Sequence, residues 1–158
     1  MRIQVPVIVV AACCLLVSPA TSQSPDPWIG TWKLDTAKSK YSPGIPPRSS
    51  TLTAVAVDGG FKQIVNTVPA TLGMPTNSEV MAKFDGKDAP VKGNANADTS
   101  AYLRIDGRSY EVVSKKNGKV TLTSRVVISA DGKTRTVTQT GTDAQGKKVT
   151  NLLVYDRQ

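Results

Sequence analysis

Apolar and polar side chains alternate along most of this chain with a period of two, which in an extended strand sends them to opposite faces. The longest example is Val120-x-Leu122-x-Ser124-x-Val126-x-Ile128, set against Thr121, Thr123, Arg125, Val127 and Ser129. A second is the hydroxyl stripe Thr134, Thr136, Thr138 and Thr140, opposite Arg135, Val137 and Gln139. The same reading predicts strands over 50–57, 61–68, 78–84, 88–91, 99–105, 109–114, 120–129, 134–140 and 148–156, after a first strand at 28–34. Glycine-centred turns separate many of them: Asp58-Gly59, Asp85-Gly86, Asp106-Gly107, Asn117-Gly118, Asp131-Gly132 and Gln145-Gly146. Asp-Gly and Asn-Gly tolerate the positive φ that tight hairpins need, so the pattern is a meander of hairpins. No amphipathic helix of useful length is present to cover a sheet face. An antiparallel sheet without helical cover hides its edges by closing on itself. The predicted fold is therefore all-β, an antiparallel up-and-down meander closing into a barrel of about 8–10 strands.

The first strand stands apart. Trp28, Gly30, Trp32 and Leu34 alternate with Ile29, Thr31 and Lys33, which puts both tryptophans and Leu34 on one face with a glycine between them. Glycine inside a strand marks a bend or a close approach of backbone. A bent first strand carrying a buried Trp suits the start of a closed sheet; an ordinary strand with two core aromatics fits the same residues. Three stretches break the alternation. Residues 35–50 hold Ser42-Pro43-Gly44 and Ile45-Pro46-Pro47, a surface loop with room for one helical turn near 36–40. Residues 69–75 form an apolar loop in which Leu72 and Met74 either meet a ligand or fold back onto the core. Residues 92–98 carry Asn94, Asn96 and Asp98 at alternating positions but lack the bidentate glutamate of a calcium loop.

Residues 1–22 read as a signal peptide: Arg2, an apolar run from Val5 to Val17, then the small residues Ala20-Thr21-Ser22. The run is shorter than the roughly 20 residues that span a bilayer. The mature chain, residues 23–158, is then a single β-barrel domain beginning at Gln23, periplasmic or secreted. Val10-Ala11-Ala12-Cys13 resembles a lipobox. Anchoring through Cys13 would leave a very short leader and an apolar stretch after the lipidated residue. Both cysteines, Cys13 and Cys14, lie in the leader, so the mature barrel carries no disulfide and relies on its core. The chain has no histidine, which excludes Ser-His-Asp and Cys-His catalysis and zinc sites built on imidazole and thiolate. No metal or cofactor is expected. Net charge is +8, falling to +7 without Arg2, and the basic residues are spread among the turns rather than gathered in a block.

Gly30-Thr31-Trp32 resembles the Gly-x-Trp signature of lipocalins and fatty-acid-binding proteins, together the calycins. Val154-Tyr155-Asp156-Arg157 resembles their closing strand, where a basic residue packs across the first-strand Trp. More closely, the mature chain is similar to small exported bacterial proteins with a Gly-Thr-Trp-Lys-Leu opening, a Tyr-Ser-Pro-Gly loop and repeated Asp-Gly-Lys turns, a group without an established activity. The resemblance implies a lipocalin-like barrel closed structurally by Gly30, Trp32 and Arg157, with Arg125 a second candidate for the cation over Trp32. A contact of that kind contributes about 0.5–2 kcal/mol. The Pro-rich loop stands where fatty-acid-binding proteins carry two helices, and lipocalins have eight strands and often disulfides.

The resemblance implies a binder of a small apolar ligand, for which Leu72, Met74, Leu103, Val112, Leu122 and Val126 are the candidate contacts. A one-residue slip in register would invert the facing of every strand residue among them. A solid-core barrel acting through its surface is the alternative. An enzyme would draw on Asp35, Glu79, Asp85, Asp88, Glu111, Tyr102 or Tyr110, which no spacing brings together. Nucleic-acid binding would need basics interleaved with aromatics, and only Tyr102 with Arg104, and Tyr110 nearby, hints at that. Neither nucleic acid nor integral membrane insertion is expected. The reading predicts that intact mass of the exported protein begins at Gln23; a mass retaining residues 1–22, or a lipid on Cys13, would contradict it.

Overall fold

The computed structural model describes residues 26–158, so the expected leader lies outside the described residues. Ten strands form: β1 (Gly30–Leu34), β2 (Ser49–Val57), β3 (Gly60–Val68), β4 (Thr76–Ala82), β5 (Asp85–Lys92), β6 (Thr99–Arg104), β7 (Ser109–Lys116), β8 (Lys119–Ile128), β9 (Thr134–Thr142) and β10 (Lys148–Arg157). Each pairs antiparallel with its neighbours in sequence, and β1 pairs with β10, so the sheet is a closed up-and-down barrel. The turn chemistry explains the order. Between β7 and β8, Asn117 and Gly118 both take positive φ, 50° and 74°, the geometry of a two-residue hairpin turn whose twist matches its strands. Asp131, Asp143 and Asp106 each turn a carboxylate oxygen onto a backbone N–H two residues on, fixing three further hairpins. Among the described residues no helix is long and apolar enough to cross a membrane.

One predicted turn falls elsewhere. Asp85-Gly86 lies inside β5, where the register with β6 shifts between Asp85 and Asp88, and the chain reverses instead at Lys83-Phe84. Phe84 thereby turns inward and stacks on Phe61 at 4.7 Å. The β4–β5 seam is thin, with pairing only at Glu79–Lys92 and Val80–Val91.

The 35–48 segment forms no helix beyond one turn, in which Ser39 N–H donates to Asp35 O at 3.1 Å. β1 reaches only the last part of β10, through Trp32–Arg157, Lys33–Asp156 and Leu34–Tyr155. The uncovered edge of β10 is taken by residues 35–42: Asp35 N–H donates to Val154 O at 2.8 Å, Lys40 N–H to Leu152 O at 2.7 Å, and Thr150 N–H to Ser42 O at 2.7 Å. Backbone groups that a five-residue strand leaves open are thus satisfied by the loop.

One end of the barrel is shut. Trp28, Trp32 and Leu34 are all buried, in the alternation the sequence predicts, although Trp28 precedes the strand proper. Gly30 makes the bend with φ +136°, and a Cβ there would stand 2.6 Å from the Arg157 guanidinium. That guanidinium lies 4.2 Å from the Trp32 ring centroid and donates to the carbonyls of Gly132 (2.7 Å), Ile29 (2.8 Å) and Pro27. Trp32 Nε1 in turn donates to Trp28 O at 3.2 Å. Arg157, rather than the exposed Arg125, is the cation over Trp32. Above this closure five rings, Trp28, Phe61, Phe84, Tyr102 and Tyr110, make a mostly edge-to-face floor with centroids 4.7–6.4 Å apart.

Trp32→Ala is expected to destabilise the protein by about 3–5 kcal/mol in denaturant unfolding, the range for truncating a buried aromatic. The Trp32–Arg157 coupling in a double-mutant cycle is expected at about 0.5–2 kcal/mol. A loss below about 1 kcal/mol for Trp32→Ala would show that it does not anchor the closure.

Candidate ligand-binding cavity

Above the aromatic floor the strands do not fill the barrel. A cavity of about 440 Å³ remains, within the size range of small-molecule sites. Its wall is mixed. Leu52, Val65, Val80, Val112, Val126, Val137 and Leu153 supply apolar surface, and Ser78, Ser100, Ser114, Ser124, Thr67 and Gln139 supply hydroxyls and an amide. Several of the polar groups are paired across strands, Ser100 with Ser114 at 2.9 Å and Gln139 Nε2 with Ser124 Oγ at 3.4 Å. The cavity leads into a vestibule of about 430 Å³ that shares Val65, Thr67, Gln139, Leu153 and Tyr155 with it. Tyr41, Ile45 and Pro47 from one loop and Pro69, Ala70 and Thr71 from another flank this vestibule, while the third irregular loop, 92–98, lines the cavity itself through Gly93, Asn94, Ala95 and Asn96.

Arg135 stands on the cavity wall and is 3% exposed. One nitrogen, Nη2, donates to Gln63 Oε1 at 3.3 Å and to the Tyr110 hydroxyl. Its guanidinium lies 5.6 Å from the Tyr110 ring centroid. Nε and Nη1 have no acceptor and are shielded from water. None of the ion pairs among the described residues includes Arg135. The nearby phenols do not compensate it. Burial pushes Tyr102, Tyr110 and Tyr155 above the ordinary tyrosine range, with the charge of Arg135 opposing the rise, so all three stay neutral at physiological pH.

The six candidate ligand contacts divide. Val112 and Val126 stand on the cavity wall. Leu103 is 52% exposed, because Tyr102 takes the inward position of β6. Leu122 is half-buried and off the wall. A register shift at Ser114/Lys115 changes the phase of β8, leaving Val120 exposed and Thr121 buried, its hydroxyl donating to Asn96 O at 2.8 Å. Leu72 and Met74 are exposed, at 106% and 86%, on the mouth loop. The sequence reading missed Arg135. Its signal was the period-two phase that set it with Val137 against the threonine stripe.

The other candidates serve the surface. Asp35 caps the turn after β1 and pairs with Lys38 at 2.8 Å, Glu79 with Lys62 at 3.1 Å, and Asp88 with Lys115 at 2.7 Å. Asp85 caps Lys87 N–H. Asp98 pairs with Lys116 at 2.6 Å and caps Asn117 N–H, so the 92–98 loop spends its carboxylate on loop closure. Among the described residues no three His, Cys, Asp or Glu side chains gather as a metal site. Tyr102 and Tyr110 lie inside the barrel, and Arg104 sits outside it over Trp28, paired with Asp26 at 2.7 Å. In sequence comparison the chain matches no family model and no curated relative.

Filling one turn residue tests the hairpin logic. Asn117→Val, a β-branched residue at φ 50°, is expected to lower the thermal midpoint by several degrees, read by circular dichroism; an unchanged midpoint would show that the β7–β8 turn tolerates another geometry.

Proposed function

We propose that this protein is an exported, non-catalytic β-barrel that binds one small molecule in its interior. The observation that carries the reading is the cavity of about 440 Å³ above a shut floor and below an open vestibule. A barrel built as a solid module would fill that space with side chains, as the aromatic rings fill the floor. The mixed wall favours a ligand part apolar and part hydrogen-bonding, instead of the wholly apolar molecule that the resemblance implies. Its apolar part would lie against the valines and leucines, and its polar atoms would engage the hydroxyls of β6, β7 and β8. The likeness to calycins in the Gly30-x-Trp32 and Arg157 closure supports the same reading, and the apparent leader supports export.

A neutral environment-sensitive dye, N-phenyl-1-naphthylamine, tests it. Val112→Phe and Ser124→Phe place bulk in the cavity and are expected to weaken dye binding at least about tenfold, a change of about 1.4 kcal/mol. Leu103→Phe, on the outer face, is expected to leave binding unchanged. Equal affinity in all three folded variants would mean that the dye binds elsewhere and that the cavity is not the site.

A further inference from the structure

We infer that the ligand carries an anionic group, and that Arg135 is the residue that pairs with it. The inference rests on the small-molecule reading above and deepens it. The chain satisfies its other buried or stacked arginines by local means. Arg157 donates to three backbone carbonyls, and Arg104 pairs with Asp26. Arg135 is more deeply buried than a solvated cation can be without a partner, yet two of its nitrogens have no acceptor and no carboxylate reaches it. A charge taken out of water is costly unless paired. The groups around it are neutral: an amide from Gln63, the phenol of Tyr110 and the apolar side chains of neighbouring strands. The protein therefore holds an uncompensated positive charge at the wall of an otherwise neutral cavity.

Position adds to charge. Arg135 lines the cavity but not the vestibule, and Tyr110 beneath it belongs to the aromatic floor. An entering molecule would therefore place its anionic group deep and leave its neutral body toward the mouth. Gln63 and the Tyr110 hydroxyl hold one guanidinium nitrogen, Nη2, from the side, and Nε and Nη1 lie without acceptors beneath protein atoms at the wall, so the guanidinium turns toward the cavity to meet the ligand. A planar guanidinium suits carboxylate, sulfonate or a phosphate monoester alike through parallel hydrogen bonds.

The test compares two dyes with one body, 8-anilinonaphthalene-1-sulfonate and the uncharged N-phenyl-1-naphthylamine, on the full mature protein. The wild type is expected to bind the sulfonate at least about tenfold more tightly. Arg135→Met and Arg135→Gln are expected to lose that preference while keeping the neutral dye, and Arg135→Lys, which keeps the charge, to retain most of it. Removal of an unpaired charge is also expected to raise the thermal midpoint of the ligand-free Met variant; a purely structural arginine would lower it. If the preference persists without Arg135, or if both dyes bind the wild type equally, the inference falls and the small-molecule reading stands. If neither dye binds, both fall. If the Met and Gln variants both fail to fold, Arg135 is structural and the inference is overturned.

Discussion

The structure depends on one guanidinium, that of Arg157. A closed sheet needs its first and last strands to meet, and β1 is only five residues long. Three backbone pairs with β10 would hold weakly alone. Arg157 adds to them a ring contact with Trp32 and hydrogen bonds to carbonyls from two separate stretches: Pro27 and Ile29 in the lead into β1, and Gly132 in the β8–β9 turn. Charge-assisted bonds of this kind exceed neutral ones in strength. They also demand space, which only the absent side chain of Gly30 leaves. Bend, stacking and closure are thus one arrangement. Of the two aromatics of the opening motif, Trp32 packs under the guanidinium and Trp28 joins the floor of five rings above it.

Shutting one end determines what the other end can be. With the floor filled by rings and the wall above lined largely by valine, serine and threonine, the side chains are too small to meet across the barrel, and a cavity follows. Two of the three stretches that break the strand pattern, 35–48 and 69–75, then fall at its mouth, and the third, 92–98, lines the cavity through residues 93–96. Their exposed Ile45, Leu72 and Met74 are the residues least explained by the needs of folding alone. Arg135 is the counterpart of Arg157 in the same interior. One arginine gives each of its nitrogens to a backbone carbonyl and makes the barrel; the other is left partly unsatisfied beside the cavity and is, among the described residues, the one charged side chain of its lining.

Much of this fold was legible in sequence because it is written in turns. Asn117-Gly118 and Asp131-Gly132 can hardly be anything but hairpin connections between alternating runs, and ten strands were readable from them. The Trp28-x-x-x-Trp32 spacing showed a common buried face even though Trp28 lies before the strand, since Gly30 bends the backbone without breaking the phase. The cavity was less legible. Alternation tells which residues share a face, but only closure tells which face is inside. A register shift at Ser114/Lys115 changes the phase within β8, so Leu122 leaves the series that Ser124 and Val126 keep. Asp85-Gly86 carries the composition of a turn and sits within a strand, because the shift beside it needs the same backbone freedom. Arg135 was hidden for another reason. Arginine in an alternating strand ordinarily marks the solvent side, and here the threonines hold that side.

The measurement that bears most directly on the account is the arginine Nε–Hε region of a nitrogen-resolved NMR spectrum of the protein, with the Arg135 resonance assigned by its loss in Arg135→Gln. Titration with 8-anilinonaphthalene-1-sulfonate is predicted to move that resonance, with the shift saturating at the same concentration as the dye fluorescence, while the resonance of Arg157 stays in place. Saturable dye binding with the Arg135 resonance unmoved would contradict the account, because the anion would then be bound somewhere other than the interior that this fold encloses.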